Sequence, residues 1–196
     1  MSDLAHEFGR KAFHMLSLVY LGVYHFVGYP RVLPWLAAWL GIVTVGESWR
    51  LLFPELCGWL VRPFAGIMRE GEHRSFSGIF HTTAGALAAA LLAGDRPRIV
   101  SAALLYLSFG DAAASLAGKA FGRHPIPGSR KSFEGSAACF AVCLCIGAGL
   151  GFPWQAALAG AVVASFIEAL PTTVFINDNL LIPVGATAAL LMAGAL

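Results

Sequence analysis

Apolar residues gather into seven runs along this chain, at 12–29, 33–47, 76–94, 98–118, 134–152, 154–170 and 178–195. Most approach the length of about 20 mostly apolar residues that a helix needs to cross a hydrocarbon layer; 33–47 and 154–170 are the shortest. The pattern predicts an all-α fold, a polytopic membrane helical bundle of about seven transmembrane helices. No internal repeat interrupts it, and no linker is long enough to separate two units, so 1–196 is expected to form a single transmembrane domain.

Between the second and third runs lie 29 residues, 47–75, of a different kind. Trp49, Leu52, Phe53, Leu56, Trp59, Leu60, Phe64 and Met68 recur at helix-like spacing, with Arg50, Arg62 and Arg69 between them. Pro54 and Pro63 interrupt any single helix. This alternation predicts an interfacial amphipathic segment near 49–70, lying on the headgroups rather than crossing the bilayer.

Composition agrees with a membrane chain. Hydrophobic residues make up 58% and charged residues 12%, with a mean hydropathy of +0.72; soluble domains carry about twice that charged fraction. A net charge of +2 gives no reason to expect a nucleic-acid partner. Cys139, Cys143 and Cys145 share one apolar run with Cys57 distant, no CxxC pair and no histidine at ligand spacing, so all four read as small apolar packing residues. Arg10 and Lys11 ahead of an apolar stretch resemble the start of a signal peptide, but the run continues to Tyr29 without a small-x-small site, which reads as a retained first span.

The basic residues set the orientation. With the N-terminus in the cytoplasm, that side receives Arg10, Lys11, Arg50, Arg62, Arg69, Arg74, Lys119, Arg123, Arg130 and Lys131, whereas Arg31, Arg96 and Arg98 face the other way. The protein is therefore expected to be a multi-pass integral membrane protein whose chemistry faces the cytoplasm. Under that topology Glu47, Asp111, Glu134, Glu168 and Asp178 all approach the cytoplasmic end.

Three groupings stand out. Asp111 lies about 10 Å inside its run, at 1.5 Å per residue, flanked by Gly110, Ala112, Ala113 and Ala114 and sharing a face with Ser115 and Gly118. Charge at such depth is costly and marks function, although a carboxylate paired for helix packing fits the same residues. The turn GKAFGRHPIPGSRKSFEGS carries Lys119, Arg123, His124, Arg130, Lys131 and Ser132 among four glycines and two prolines. Such a turn suits polyphosphate; the cations alone also suit a topogenic loop on anionic lipid. Glu168 and Asn177-Asp178-Asn179 offer hard oxygen ligands of the kind Mg²⁺ prefers, with a helix N-cap the equal alternative for Asp178. Arg10, Lys11 and His14 stand at the mouth of the first run, fit for topology or for phosphate, and Glu47 with Arg50 is spaced for an ion pair. His81 reads as structural, and neither His25 nor His73 has an assignable role. No Walker A sequence occurs, which excludes a P-loop fold.

Gly110-Asp111 with Ala114 and Gly118, then Phe121-Gly122, then Lys131-Ser132-Phe133-Glu134-Gly135-Ser136, resembles the phytol/dolichol/polyprenol kinase family, which includes CTP-dependent diacylglycerol kinases. Arg10-Lys11 with His14, Glu47 with Arg50, Glu168-Ala169 and Asp178-Asn179 before Pro183 extend the likeness over nearly the whole chain; Phe109 departs from the smaller residues expected there. The resemblance implies phosphoryl transfer from CTP to the hydroxyl of a lipid alcohol such as phytol, polyprenol, dolichol or diacylglycerol. It also implies importance for Arg10, Lys11, Asp111 and Gly118, and a nucleotide-associated segment at Lys131–Gly135. Phosphoryl transfer rests on positioning and electrostatics, which fits the residues. On this reading Lys131, Arg130 and Ser132, with Gly135 and with Lys119 or Arg123, hold the CTP phosphates. Asp111 with Glu168 or Asp178 holds Mg²⁺, and either Asp111 or Glu134 is the base. CTP, a lipid alcohol and membrane lipids are the expected partners. A cytidylyltransferase making a CDP-lipid is the nearest alternative. A small transporter fits less well, because such proteins show inverted repeats and midplane sites.

Overall fold

A computed structural model describes residues 15–55, 75–171 and 177–195. Each of the seven apolar runs contains one helix. A 3₁₀ turn at Met15–Ser17 leads into α1 (Leu18–Val27), followed by α2 (Val32–Leu52), α3 (Gly78–Ala93), α4 (Pro97–Phe121), α5 (Phe133–Gly149), α6 (Trp154–Ala169) and α7 (Asp178–Met192). Among the described residues the sole extended pairing is an isolated bridge between Pro125 and Ser132. α2 runs five residues past the apolar stretch 33–47, so Trp49 to Leu52 continue a helix rather than opening a separate interfacial one. The remainder of the proposed interfacial segment, from residue 56 onward, lies outside the described residues.

Helix ends follow local chemistry. α3 stops at Gly94, whose φ of +60° few other residues adopt, and α4 restarts with Pro97, which needs no N–H in a first turn. Ser132 caps α5 by accepting the Gly135 N–H at 3.2 Å, and Asn177 caps α7 by accepting the Asn179 N–H at 3.0 Å.

α4 runs through the middle of the bundle, touching α1, α3, α5, α6 and α7. Its α-helical path is interrupted by a π-helical turn at Tyr106–Gly110, immediately ahead of Asp111. That turn leaves Tyr106, Leu107 and Ser108 buried and directs Phe109 outward, 42% exposed. Small residues sit where helices cross, among larger core residues such as Ile99, Leu104, Tyr106 and Leu190. A Cβ added to Gly135 of α5 would lie 2.7 Å from the Ala114 carbonyl oxygen of α4, and one on Gly85 of α3 would lie 2.7 Å from the Asn179 carbonyl oxygen of α7. Such glycines let backbones approach closely where bulk would hold them apart.

Along α2, by contrast, large apolar side chains point outward. Trp35, Trp39, Ile42, Val45, Trp49 and Leu52 are all exposed along α2. α2, with 21 residues, and α4, with 25, are long and apolar enough to cross a membrane; the other five helices are apolar but shorter.

Polar contacts hold the outer helices. From the 3₁₀ turn and α1, Ser17 shares a hydrogen bond with Ser108 (2.7 Å) and Tyr20 with Thr83 (2.6 Å), Tyr24 donates to the Gly94 carbonyl (2.9 Å), and His25 meets Ser101 (2.8 Å). Trp39 of α2 donates to the Tyr20 hydroxyl at 3.2 Å. At the far end of α2, Arg50 donates to Glu47 (2.6 Å) and to the Ser75 carbonyl (2.7 Å), while Glu47 also accepts the Ser77 N–H at 3.1 Å. The ion pair expected from the spacing thus ties α2 to the start of α3.

Replacing Gly135 with Val should destabilise the protein by about 1–3 kcal/mol through overpacking at the α4–α5 crossing. Gly41→Ala, where an added Cβ meets nothing within 4 Å, should leave thermal unfolding of the purified protein unchanged or slightly improved.

Candidate functional site

The segment joining α4 to α5 folds as a small hairpin. Ile126-Pro127-Gly128-Ser129 forms a turn closed by the Ser129 N–H donating to the Ile126 carbonyl at 3.0 Å, with Gly128 at φ +75°. Pro at the second position and Gly at the third are what a type II turn requires. Ile126 N–H donates to Lys131 O at 2.9 Å and Phe133 N–H to His124 O at 3.0 Å. What reads in sequence as a flexible Gly/Pro stretch is therefore a defined hairpin.

Glu134 locks its base. The carboxylate accepts the His124 backbone N–H at 3.2 Å and sits 2.6 Å from the His124 ring nitrogen Nδ1. Its oxygens are directed to the hairpin.

Lys131 is where the hairpin meets the bundle. Its ammonium donates to the backbone carbonyl of Glu168 and lies 3.2 Å from Glu168 Oε1 and 3.3 Å from Asp178 Oδ2. Ser136, one turn beyond the α5 cap, donates to the other Glu168 oxygen at 3.0 Å. Three elements thus converge: the hairpin, the last turn of α6 and the first residue of α7. Asp111 and Asp178 are 2% exposed and Glu168 4%, so the carboxylates lie beneath the surface with Lys131 as their lid. Burial alone would lower the Lys131 pKa, but Asp178, Glu168 and Asp111 outweigh it and hold it above the ordinary lysine value.

The remaining candidates fall into three groups. Gly118 and Gly135 occupy the α4–α5 crossing, where a Cβ on Gly118 would reach Ser132 Oγ at 3.1 Å; this close approach seats Ser132 and, next to it, Lys131. Lys119, Arg123 and Arg130 are exposed along the segment that ends α4 and forms the hairpin. Arg10 and Lys11, like His14, lie outside the described residues. Among the described residues no three histidine, cysteine, aspartate or glutamate side chains form a ready metal set. Glu168 and Asp178 nevertheless converge on a single cation, the Lys131 ammonium.

The sequence places Ser136 at the end of the Lys131–Ser136 motif without a contact of its own, and Asn179 in the Asn177-Asp178-Asn179 triplet. Ser136 follows Ser132 at i+4 and so shares its helix face, a spacing that was available. Asn179 is buried, and its side-chain oxygen has no partner among the described residues. Cys139 and Cys143, with sulfurs 4.0 Å apart, fill the space that Gly110 leaves beside the π-turn, where an added Cβ would lie 2.7 Å from Cys143 Sγ.

No protein-family model, curated protein or solved structure matches the chain.

Removing the Lys131 ammonium leaves Glu168 and Asp178 facing each other without it. Lys131→Met should therefore destabilise the protein by about 3 kcal/mol or more. Adding Asp178→Asn and Glu168→Gln should recover most of the loss in thermal unfolding.

Proposed function

We propose that this chain is a multi-pass integral membrane kinase that transfers a phosphoryl group from CTP to the hydroxyl of a lipid alcohol. Its N-terminus and its site face the cytoplasm. The observation that carries the reading is Lys131, reaching from an ordered basic hairpin onto carboxylates buried at the ends of two further helices. An apolar bundle has no need of that arrangement for its own stability, since buried ion pairs seldom outperform hydrophobic packing. The outward-facing tryptophans and the small residues at helix crossings support placement in lipid, and the skew of basic residues supports the orientation. The donor CTP and the lipid-alcohol acceptor rest on the motif Asp111…Gly118…Lys131-Ser132…Glu134-Gly135 and its likeness to the phytol/dolichol/polyprenol kinases.

In this scheme Arg123, Arg130 and Lys119 draw the triphosphate to the hairpin, and Lys131 exchanges carboxylate for phosphate contacts as the nucleotide arrives. Ser132 and Gly135 keep the α5 N-terminus aimed at the phosphates, where helix N–H groups favour negative charge. Mg²⁺, bound with the nucleotide, would be held by Glu168 and Asp178 with Asp111, and would neutralise charge on the phosphates. The lipid hydroxyl oxygen forms a bond to the γ-phosphorus as the bond from that phosphorus to the β–γ bridging oxygen breaks, releasing CDP. The hydroxyl proton passes to a carboxylate of the site, Asp111 or Glu134. The acceptor's tail lies between helices, entering from the bilayer.

Asp111→Asn membranes, supplied with CTP and separately with phytol, polyprenol and diacylglycerol, should lose about 100-fold or more of the phosphoryl transfer shown by wild type. Unchanged activity would overturn the assignment. Label from the γ-phosphate should appear on the lipid; pyrophosphate release with a CDP-lipid product would identify a cytidylyltransferase instead.

A further inference from the structure

A second charged feature lies at the opposite end of the bundle, about 25 Å away along the 17 residues of α5. There the α3–α4 turn and the α5–α6 turn enclose a cleft of about 200 Å³ lined by Asp95, Arg96, Pro97, Arg98, Phe152 and Ala195. The Arg98 guanidinium stands 5.9 Å over the Phe152 ring, and Arg96 spends one N–H on the Ala93 carbonyl at 3.1 Å. Neither arginine is within ion-pair distance of a carboxylate among the described residues, even with Asp95 on the same rim. A guanidinium carries five N–H donors, so most of the donor capacity in the cleft is unspent. Both arginines also flank the N-terminal turn of α4, a 25-residue helix whose dipole adds positive potential there.

Apolar surface surrounds this charge. Leu91 and Leu92, one turn before Asp95, are 57% and 48% exposed, and Trp154, two residues after Phe152, is 69% exposed. These side chains offer a path for acyl chains running down the bundle from the cleft. Of the three basic residues at this end, two converge in the cleft, although the positive-inside bias works against arginine on this side.

We propose that the cleft is a binding site for a phospholipid headgroup: Arg96 and Arg98 take the phosphodiester, and Asp95 takes a primary ammonium, so that phosphoethanolamine headgroups are preferred. The Leu91, Leu92 and Trp154 surface favours a lipid over a free phosphate. The site is separate from the hairpin and rests on the bilayer placement proposed above, not on the phosphoryl-transfer reaction.

The test uses the full chain purified in detergent and titrated, under native mass spectrometry, with phosphatidylethanolamine, phosphatidylglycerol, glycerophosphoethanolamine and inorganic phosphate. Wild type should retain phosphatidylethanolamine most strongly. Arg96→Ala with Arg98→Ala should weaken that binding about tenfold or more, and Arg96→Lys with Arg98→Lys should lose less, because charge remains without the fork. Arg31→Ala, at the same end but outside the cleft, should change nothing, and Asp95→Asn should erase the preference over phosphatidylglycerol. Equal lipid retention by wild type and the folded double-alanine or double-lysine variants would overturn the site. Binding of inorganic phosphate or glycerophosphoethanolamine as tight as that of the lipid would overturn the lipid as occupant. Phosphoryl transfer, assayed on the same samples, reports on the hairpin site alone.

Discussion

An ammonium group held between two carboxylates that are themselves withdrawn from solvent sets the terms for one end of this molecule. Lys131, Glu168 and Asp178 come from three separate elements, and each would be costly to bury alone. Their mutual neutralisation requires that the hairpin be ordered, that α6 end where it does, and that α7 begin within reach of both. The Pro127-Gly128 turn, the His124–Glu134 latch, the Ser132 cap and the Gly135 crossing are separate devices with one geometric result: they deliver a single ammonium to a fixed place.

The rest of the bundle is held by different means. Close contact and hydrogen bonds between helices do much of the joining. α1 is tied in this way, with Ser17, Tyr20, Tyr24 and His25 each finding a polar partner elsewhere in the bundle. α2 is tied at its far end, where Glu47 and Arg50 grip the chain around Ser75 and Ser77. Between these fixed points its large side chains face outward.

Much of this was legible in the sequence, because uninterrupted apolar runs leave the backbone few alternatives to a helix. All seven runs became helices, and Glu47 with Arg50 paired as their spacing implied. The site was legible as to membership for Lys131, Glu168 and Asp178, since costly charges in an apolar chain tend to meet. It was less so as to contacts. Nothing local shows that the hairpin brings His124 back onto Glu134, or that Gly118 lies beside the α5 backbone. Both depend on contacts across ten or more residues, which local pattern does not encode. At the early end of the expected interfacial segment, Trp49 to Leu52 belong to α2, a continuity that helix-like spacing alone does not reveal.

The π-turn at Tyr106–Gly110 has no sequence signature, yet it sets the angular phase of the second half of α4. A turn that holds one residue more than an α-turn offsets everything beyond it by about 100° around the axis, one residue's share of a 3.6-residue turn. The half that starts at Pro97 is indexed by α1, α3 and α7, whereas the half that carries Asp111 is indexed by α5. A regular helix of the same length would satisfy one set of neighbours and aim the other face wrongly. The extra residue acts as an angular coupling, joining two ends of one rod that answer to different surroundings.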